Sequence, residues 1–348
     1  MKNIFSQRLK SARLMRGLSL QALADKMDNF VSKQALNKYE HGLMFPGSEI
    51  LIKIASALEL KVDYFFREKN IELNKIEFRK RAKMGSKAQN SVKEKTLDFL
   101  ERYTEIELLL SADIEFKNPL ENIIIQNQQD IENAADQLRE SWDLGADPIH
   151  NVVEILENRG IKIFETEDNS VFDGLPAWVG NIPIIVLNKN VDIVRKRFTV
   201  LHEFAHLALE FASQINDKMT EKLCHSFAGA LLLPKNELIR ELGKNRKRIS
   251  MEELKAIKEH YGISMQAIMA RLFALDLINE RHFRQFRISM AKWNYLKQEP
   301  GEYRGLETTS RFTSLVYHAA SEEIITLNKA ASLLNLRLAD LQNNFQVI

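Results

Sequence analysis

The sequence contains a single cysteine, Cys224, among its 348 residues. One cysteine excludes an intramolecular disulfide bond and a metal cluster held by cysteines alone. No apolar run approaches the roughly 18 residues of a membrane span. The first residues, MKNIFSQRLKSARLMRG, carry charges where a signal peptide needs a hydrophobic stretch. We therefore expect a protein of the reducing cytoplasm.

The chain as a whole also lacks an excess of charge of either sign. It has 49 Lys and Arg against 47 Asp and Glu, a net charge of +2. Residues 1–38 are different, because they contain eight Lys or Arg and only two Asp, a local charge of +6. A basic segment on a near-neutral chain predicts that this end of the protein binds a polyanion.

Length and residue patterns predict a soluble protein of two or three domains. Residues 4–66 show dense, short helical patterns, and the polar, basic residues 67–90 are typical of a linker. A helical apolar spacing follows at 93–110. Strand patterns appear at 161–165 and 182–187, and residues 172–178 form either a tight loop or an edge strand. Helices are expected at 194–211 and 218–233 and then to the C-terminus, with a break at 298–305 and a strand-like segment at 323–326.

Two neighbouring patterns near the N-terminus predict a helix-turn-helix. Ser19 can cap a helix over 20–27, and Ser32 can cap a second helix over 33–40. The second helix would enter the major groove of DNA. Its exposed polar side chains suit base edges and phosphates, and we expect the contacts from Ser32, Lys33, Gln34, Asn37 and Lys38. A helical bundle used only for dimerisation is the alternative, which the positive charge disfavours.

This segment resembles a known DNA-binding family. The pattern RGLSLQALADKM, then VSKQALNKYEHG, then LIKIASALELKVDYFF is similar to the Cro/repressor (XRE) type of helix-turn-helix over about 60 residues. The resemblance implies double-stranded operator DNA as a partner. It also makes a homodimer plausible, since such heads often read two half-sites.

The segment RFTVLHEFAHLALE contains the pattern HExxH at His202, Glu203 and His206. On a helix, two histidines four residues apart lie on one face and can hold one metal ion together. A glutamate directly after the first histidine can take a proton from the attacking water and pass it to a leaving amine. Because the flanking residues are mostly apolar, these polar side chains are costly to bury without partners.

A catalytic zinc site usually has three protein ligands and one open position. The next predicted helix, TEKLCHSFAGALLLP, offers Glu221, Cys224 and His225. Glu221 and His225 share a face, and a glutamate here is the gluzincin arrangement. Cys224 lies nearer the packed stripe, which favours a small buried residue.

The segments RKRFTVLHEFAHLAL and EKLCHSFAGALLLP resemble the ImmA/IrrE family of metallopeptidases over about residues 125–245. The resemblance implies Zn²⁺ as cofactor, His202, His206 and Glu221 as its ligands, and Glu203 as the catalytic base. The family's usual asparagine is His225 here. This histidine could orient a ligand from the second shell, compete as a ligand, or stabilise the oxyanion.

The expected fold is multidomain, with an all-α helix-turn-helix head, an α+β zincin-like metallopeptidase domain and a mostly helical C-terminal region. We assign the head to residues 1–68, a linker and connecting helix to 69–128, the metallopeptidase domain to 129–245 and the C-terminal region to 246–348. The resemblances imply a DNA-binding zinc endopeptidase that cleaves a protein partner such as a repressor. Two alternatives stay open, namely a regulator whose peptidase domain acts as a sensor or docking platform without turnover, and an antitoxin-like component.

Overall fold

The computed structural model describes residues 2–67, 76–78, 84–167, 172–244, 246 and 248–345. Close contacts divide the chain into two compact units. The first unit comprises residues 1–113, 169–172 and 310–348, and the second comprises 114–168 and 173–309. None of the described helices is both long enough and apolar enough to cross a membrane.

The first 113 residues are almost entirely helical where they are described. Their elements are α1 (Lys2–Met15), α2 (Leu20–Lys26), α3 (Lys33–Glu40), α4 (Ser48–Leu58), a 3₁₀ helix (Val62–Phe66), β1 (Ile76–Phe78) and α5 (Ser86–Leu110). Both predicted caps are confirmed: the hydroxyl of Ser19 accepts from the backbone N–H of Ala22, and that of Ser32 accepts from Ala35. The helices enclose a core that includes Phe5, Leu9, Leu23, Leu36, Ile54 and Phe65.

Helix α5 packs along α1. The Ser91 hydroxyl donates to the Met15 carbonyl at 2.6 Å, and Val92 is fully buried. Residues 68–75 and 79–83 of the predicted linker lie outside the described residues. The linker prediction was wrong from Ser86 onward, because α5 begins there and not at residue 93. Burial of the helix's second turn against α1 outweighs the polar character of this turn.

The second unit contains a small mixed sheet surrounded by helices. Its elements are β2 (Ile124–Ile125), α6 (Gln128–Ser141), α7 (Val152–Glu157), β3 (Lys162–Thr166), β4 (Gly174–Val179), β5 (Ile182–Asn188), α8 (Ile193–Ala208), β6 (Glu210–Phe211), α9 (Asp217–Leu232), α10 (Lys235–Leu242), α11 (Met251–Tyr261), α12 (Met265–Ala274) and α13 (Glu280–Lys292). Strand β5 pairs parallel with β3 and antiparallel with β4. Helix α8 packs against both β4 and β5 and, elsewhere on its surface, against α9.

The structure refines two predictions in this unit. The segment 172–178 contains a strand, β4, which begins at Gly174 and pairs with β5. Helix α8 ends at Ala208, three residues before the predicted end, because Glu210 and Phe211 form strand β6 and pair parallel with β2. Backbone pairing with a strand more than 80 residues earlier is a tertiary effect that helical spacing does not register.

A buried ion pair secures the segment that leaves the second unit. Arg197 of α8 binds Glu307, and both side chains are fully buried. Glu307 also accepts the backbone N–H groups of Val152 and Val153 at the start of α7, at 2.9 and 3.0 Å. Burial raises the pKa of Glu307, while the charge of Arg197 opposes this rise. The predicted break at 298–305 contains no helix or strand, and the segment that follows it is held by this network.

Three further helices belong to the first unit: α14 (Arg311–Ser321), α15 (Leu327–Leu333) and α16 (Leu338–Asn344). Phe312 of α14 stacks on Tyr103 of α5, with ring centroids 5.3 Å apart. The strand prediction for 323–326 was wrong, because Glu323 has a positive φ of 56° in a turn and Thr326 caps α15. The units divide the chain at positions that differ from our domain assignments, which stay predictions about independent folding.

Candidate metal centre

Two helices of the second unit supply the predicted site residues. Helix α8 begins where the Asp192 side chain accepts from the N–H of Val194, and it carries His202, Glu203 and His206 in a buried stretch. Helix α9 begins at the Asn216 cap and carries Glu221.

Helix α9 is anchored at its C-terminal end by two buried arginines. Arg139 donates to the carbonyl of Leu231, and Arg271 donates to the carbonyl of Leu233 at 2.6 Å. Carbonyls at the end of a helix have no partner within the helix, so these bonds satisfy groups that burial would otherwise penalise.

The three predicted ligands come together. The Nε2 atoms of His202 and His206 lie 3.2 Å apart. Glu221 Oε1 lies 3.0 Å from His206 Nε2, and Glu221 Oε2 lies 3.4 Å from His202 Nε2. The two histidines are nine-tenths buried, while the Glu221 side chain keeps 36% of its surface exposed.

These distances fit the donor spacing of a zinc site. Zn–N and Zn–O bonds of about 2.0–2.1 Å place neighbouring donors of a tetrahedron about 3.3 Å apart. The observed separations lie between 3.0 and 3.4 Å. Two imidazoles and one carboxylate are also a common donor set for catalytic zinc. The residues present therefore fit the ion that the sequence predicts.

Glu203 lies beside this donor set. Its carboxylate and the two imidazoles of His202 and His206 offer donor atoms that lie within 4.8 Å of one another. The start of β4 passes directly over it: a Cβ added to Gly174 would lie 2.7 Å from Glu203 Cγ and 2.7 Å from Thr199 Cγ2. Gly174 therefore lets the strand approach the glutamate closely. Sequence reasoning missed this role, since only the FDGL turn itself marks the position.

Sequence reasoning also missed the position of Cys224. Its side chain is fully buried, as expected, but Sγ lies 3.3 Å from His206 Nδ1. Metal-binding histidines usually direct their second ring nitrogen to a partner that fixes the ring. The residue spacing on α9 placed Cys224 toward the packed stripe and gave no signal of this contact.

His225 lies next to the donor set on α9. Its ring centroid is 4.2 Å from that of His202, and its Nδ1 lies 2.6 Å from the carbonyl oxygen of Glu221. The ring keeps an exposed edge, while desolvation by the surrounding protein lowers its pKa. His202, Glu221 and His225 also form a group whose donor atoms lie within 4.8 Å of one another.

The arginines before the motif serve structural contacts. Arg195 pairs with Asp173 on the surface, with Nε 3.1 Å from Oδ2. Arg197 is buried with Glu307 and donates to the carbonyl of Ile149 at 2.6 Å. Neither contact involves the three predicted ligands.

In the first unit, the predicted DNA contacts share an exposed surface of α3. Lys33, Gln34, Asn37 and Lys38 are exposed, and so is the capping residue Ser32, while Leu36 and Tyr39 face the core. The basic charge of this segment is more dispersed than the sequence predicted. Four of its cations bind partners within the protein: Arg8 to Glu101, Arg13 to Glu40, and both Arg16 and Lys26 to Glu59.

Comparisons with known proteins agree with these two sites. Residues 9–65 match the family model described as helix-turn-helix, and residues 156–273 match the model of the IrrE N-terminal-like domain, peptidase family M78. Over 64 residues the chain is 41% identical to an uncharacterized HTH-type transcriptional regulator of Rickettsia prowazekii (strain Madrid E). The match covers 18% of this chain and about half, 48%, of that relative. No solved structure matches the chain.

The two family matches include the two surfaces built above: α3 lies within residues 9–65, and α8 and α9 lie within residues 156–273. The chain therefore joins a helix-turn-helix segment to a segment of the IrrE-like peptidase family M78.

Proposed function

We propose that this protein is a DNA-binding regulator with zinc-dependent endopeptidase activity, and that it cleaves a protein partner such as a transcriptional repressor. One observation carries the proposal. The donor atoms of His202, His206 and Glu221 lie at the spacing of a tetrahedral zinc site, with the Glu203 carboxylate beside them. A protein of this kind acts in the cytoplasm, where its DNA and a repressor are both present.

In this proposal His202, His206 and Glu221 hold Zn²⁺. When bound, the ion polarises the scissile carbonyl and makes water more acidic. Glu203 takes the proton of the attacking water on its carboxylate and delivers it to the nitrogen of the leaving amine. The close approach of Gly174 holds the Glu203 side chain against α8 during both transfers. The buried histidines limit the water that surrounds the reacting groups.

The head supplies the DNA contacts. Gln34 and Asn37 are placed to read base edges, and Lys33 and Lys38 are placed to bind phosphates, with Ser32 at the start of the same helix. The match to helix-turn-helix proteins supports this assignment. A protein with both activities would bring a peptidase to an operator at which its repressor substrate also binds.

The first test of the metal site is zinc content. Wild-type protein purified without chelators is expected to contain about one zinc per chain by mass spectrometry. His206→Ala and Glu221→Ala should lose it, and His318→Ala, which alters an exposed histidine of α14, should retain it. Wild-type protein without zinc would contradict the proposal.

The test of hydrolysis is Glu203→Gln. Protein N-termini that appear in cells expressing the wild-type protein should be absent with Glu203→Gln, while zinc content and DNA binding persist. Cleavage that survives this substitution would show that Glu203 is not the base.

A regulator without turnover is the second candidate. The similarity to an HTH-type transcriptional regulator favours it, since that relative is named for regulation alone. Under this candidate, wild type and Glu203→Gln give the same N-termini, and the zinc site acts as a sensor or docking platform.

A further inference from the structure

His225 departs from the asparagine that the ImmA/IrrE pattern has at this position, and its hydrogen bonding limits its role. Nδ1 faces the Glu221 carbonyl at 2.6 Å. A carbonyl oxygen only accepts hydrogen bonds, so the ring proton of the neutral imidazole lies on Nδ1. The other nitrogen, Nε2, then carries a lone pair.

This tautomer is the one used by metal ligands. A histidine that binds a metal through Nε2 commonly donates its Nδ1 proton to a backbone carbonyl, which fixes the ring. An oxyanion-stabilising histidine needs the opposite, a proton on the nitrogen that faces the site. The bond to Glu221 therefore favours a donor role for His225 over stabilisation of an oxyanion.

The position of His225 is consistent with a ligand at the edge of the donor set. Its ring lies 4.2 Å from that of His202, and the donor atoms of His202, Glu221 and His225 lie within 4.8 Å of one another. This spread is wider than the spacing of about 3.3 Å that permanent tetrahedral ligands adopt. The ring also keeps an exposed edge, unlike those of His202 and His206.

We propose that His225 is a fourth, exchangeable metal ligand, which occupies the open coordination position until substrate displaces it. The inference rests on the proposed zinc site and extends it. In the resting protein four side chains hold the ion, as in closed structural sites, and displacement of His225 leaves the three-ligand arrangement of catalytic sites.

The test uses the full-length protein, zinc, cobalt and azide. Zinc affinity is measured by competition with a chelator, and azide affinity is measured from the visible spectrum of the cobalt-loaded protein. His225→Ala and His225→Asn should both weaken zinc binding by about tenfold or more. Both should strengthen azide binding, because azide no longer competes with a side chain. His318→Ala serves as the control and should change neither quantity.

Loss of a purely structural residue would weaken zinc and azide binding together, so opposite changes are specific to an exchangeable ligand. Unchanged affinities in both His225 variants, or a decrease in both affinities, would overturn the inference and leave the three-ligand site intact. A wild-type protein that binds neither zinc nor cobalt would instead overturn the proposed function, and this inference with it.

Discussion

The thiol of Cys224 lies 3.3 Å from Nδ1 of His206, so the protein's single cysteine contacts a predicted metal ligand on the side away from the other donors. This contact joins α9 to α8 within a buried region. The partner of a ligating histidine affects both the orientation of its ring and its basicity.

Cys224→Ala is therefore expected to weaken zinc binding by about tenfold while the fold is retained. Cys224→Ser, which keeps a hydrogen-bonding atom at this position, should recover part of the loss. Chelator competition measures the affinities, and circular dichroism checks the fold. Equal affinity in the wild-type and Cys224→Ala proteins would show that the thiol only fills space.

Gly174→Ala should impair catalysis more than metal binding. The new Cβ would lie 2.7 Å from Glu203 Cγ, so the glutamate must move, whereas no contact of the added atom within 4 Å involves His202, His206 or Glu221. We expect a loss of activity comparable to that of Glu203→Gln, with zinc content near that of the wild type. Gly229→Ala on α9 is the matched control, because its Cβ meets only Arg271 Cδ at an ordinary 3.6 Å. A fully active Gly174→Ala would contradict the tight approach of β4.

Glu307→Gln should destabilise the second unit. The substitution leaves the fully buried guanidinium of Arg197 without its counter-charge, and breaking a buried pair in this way costs about 3–5 kcal/mol. Urea unfolding measures the change. Glu307→Gln combined with Arg197→Met should recover part of the loss, because no unpaired charge remains buried. If the double variant is less stable than the single one, the charge is not the source of the cost.

Lys38→Ala should weaken binding to duplex DNA of mixed sequence. Removal of one phosphate contact should also reduce the slope of log affinity against log salt concentration by about 0.9. Lys26→Ala is the control, since Lys26 Nζ already pairs with Glu59 at 2.9 Å. Gel-shift titrations at several salt concentrations give both quantities. Equal slopes for Lys38→Ala and wild type would remove Lys38 from the DNA-binding surface.

The features that could be predicted from the sequence are those that depend on local spacing. The i, i+4 separation of His202 and His206 fixes a shared helix face, and Ser19 and Ser32 act where hydroxyl caps are favoured. Pro234 likewise marks the end of α9, because proline cannot continue the helix.

The features that could not be predicted depend on which elements meet. Nothing near Gly174 in the sequence indicates that Glu203 lies against it, and β6 forms only because β2 is there to pair with it. The head's charge is a further example. Summed along the chain it is strongly positive, but Arg8 and Arg13 bind carboxylates that lie later in the sequence. Net charge alone does not distinguish a cation that binds within the protein from one that faces solvent.

The packing of α5 against both α1 and α14 has a mechanical consequence. Ser91 and Glu101 fasten α5 to the DNA-binding helices, and Tyr103, on the same helix, stacks on Phe312 of the C-terminal helices. The first and last segments of the chain are thus spliced into one rigid piece, and the intervening residues return to it like a closed loop. A molecule that docks on the last three helices would be carried at a fixed distance and angle from any DNA held by α3, as on a jig.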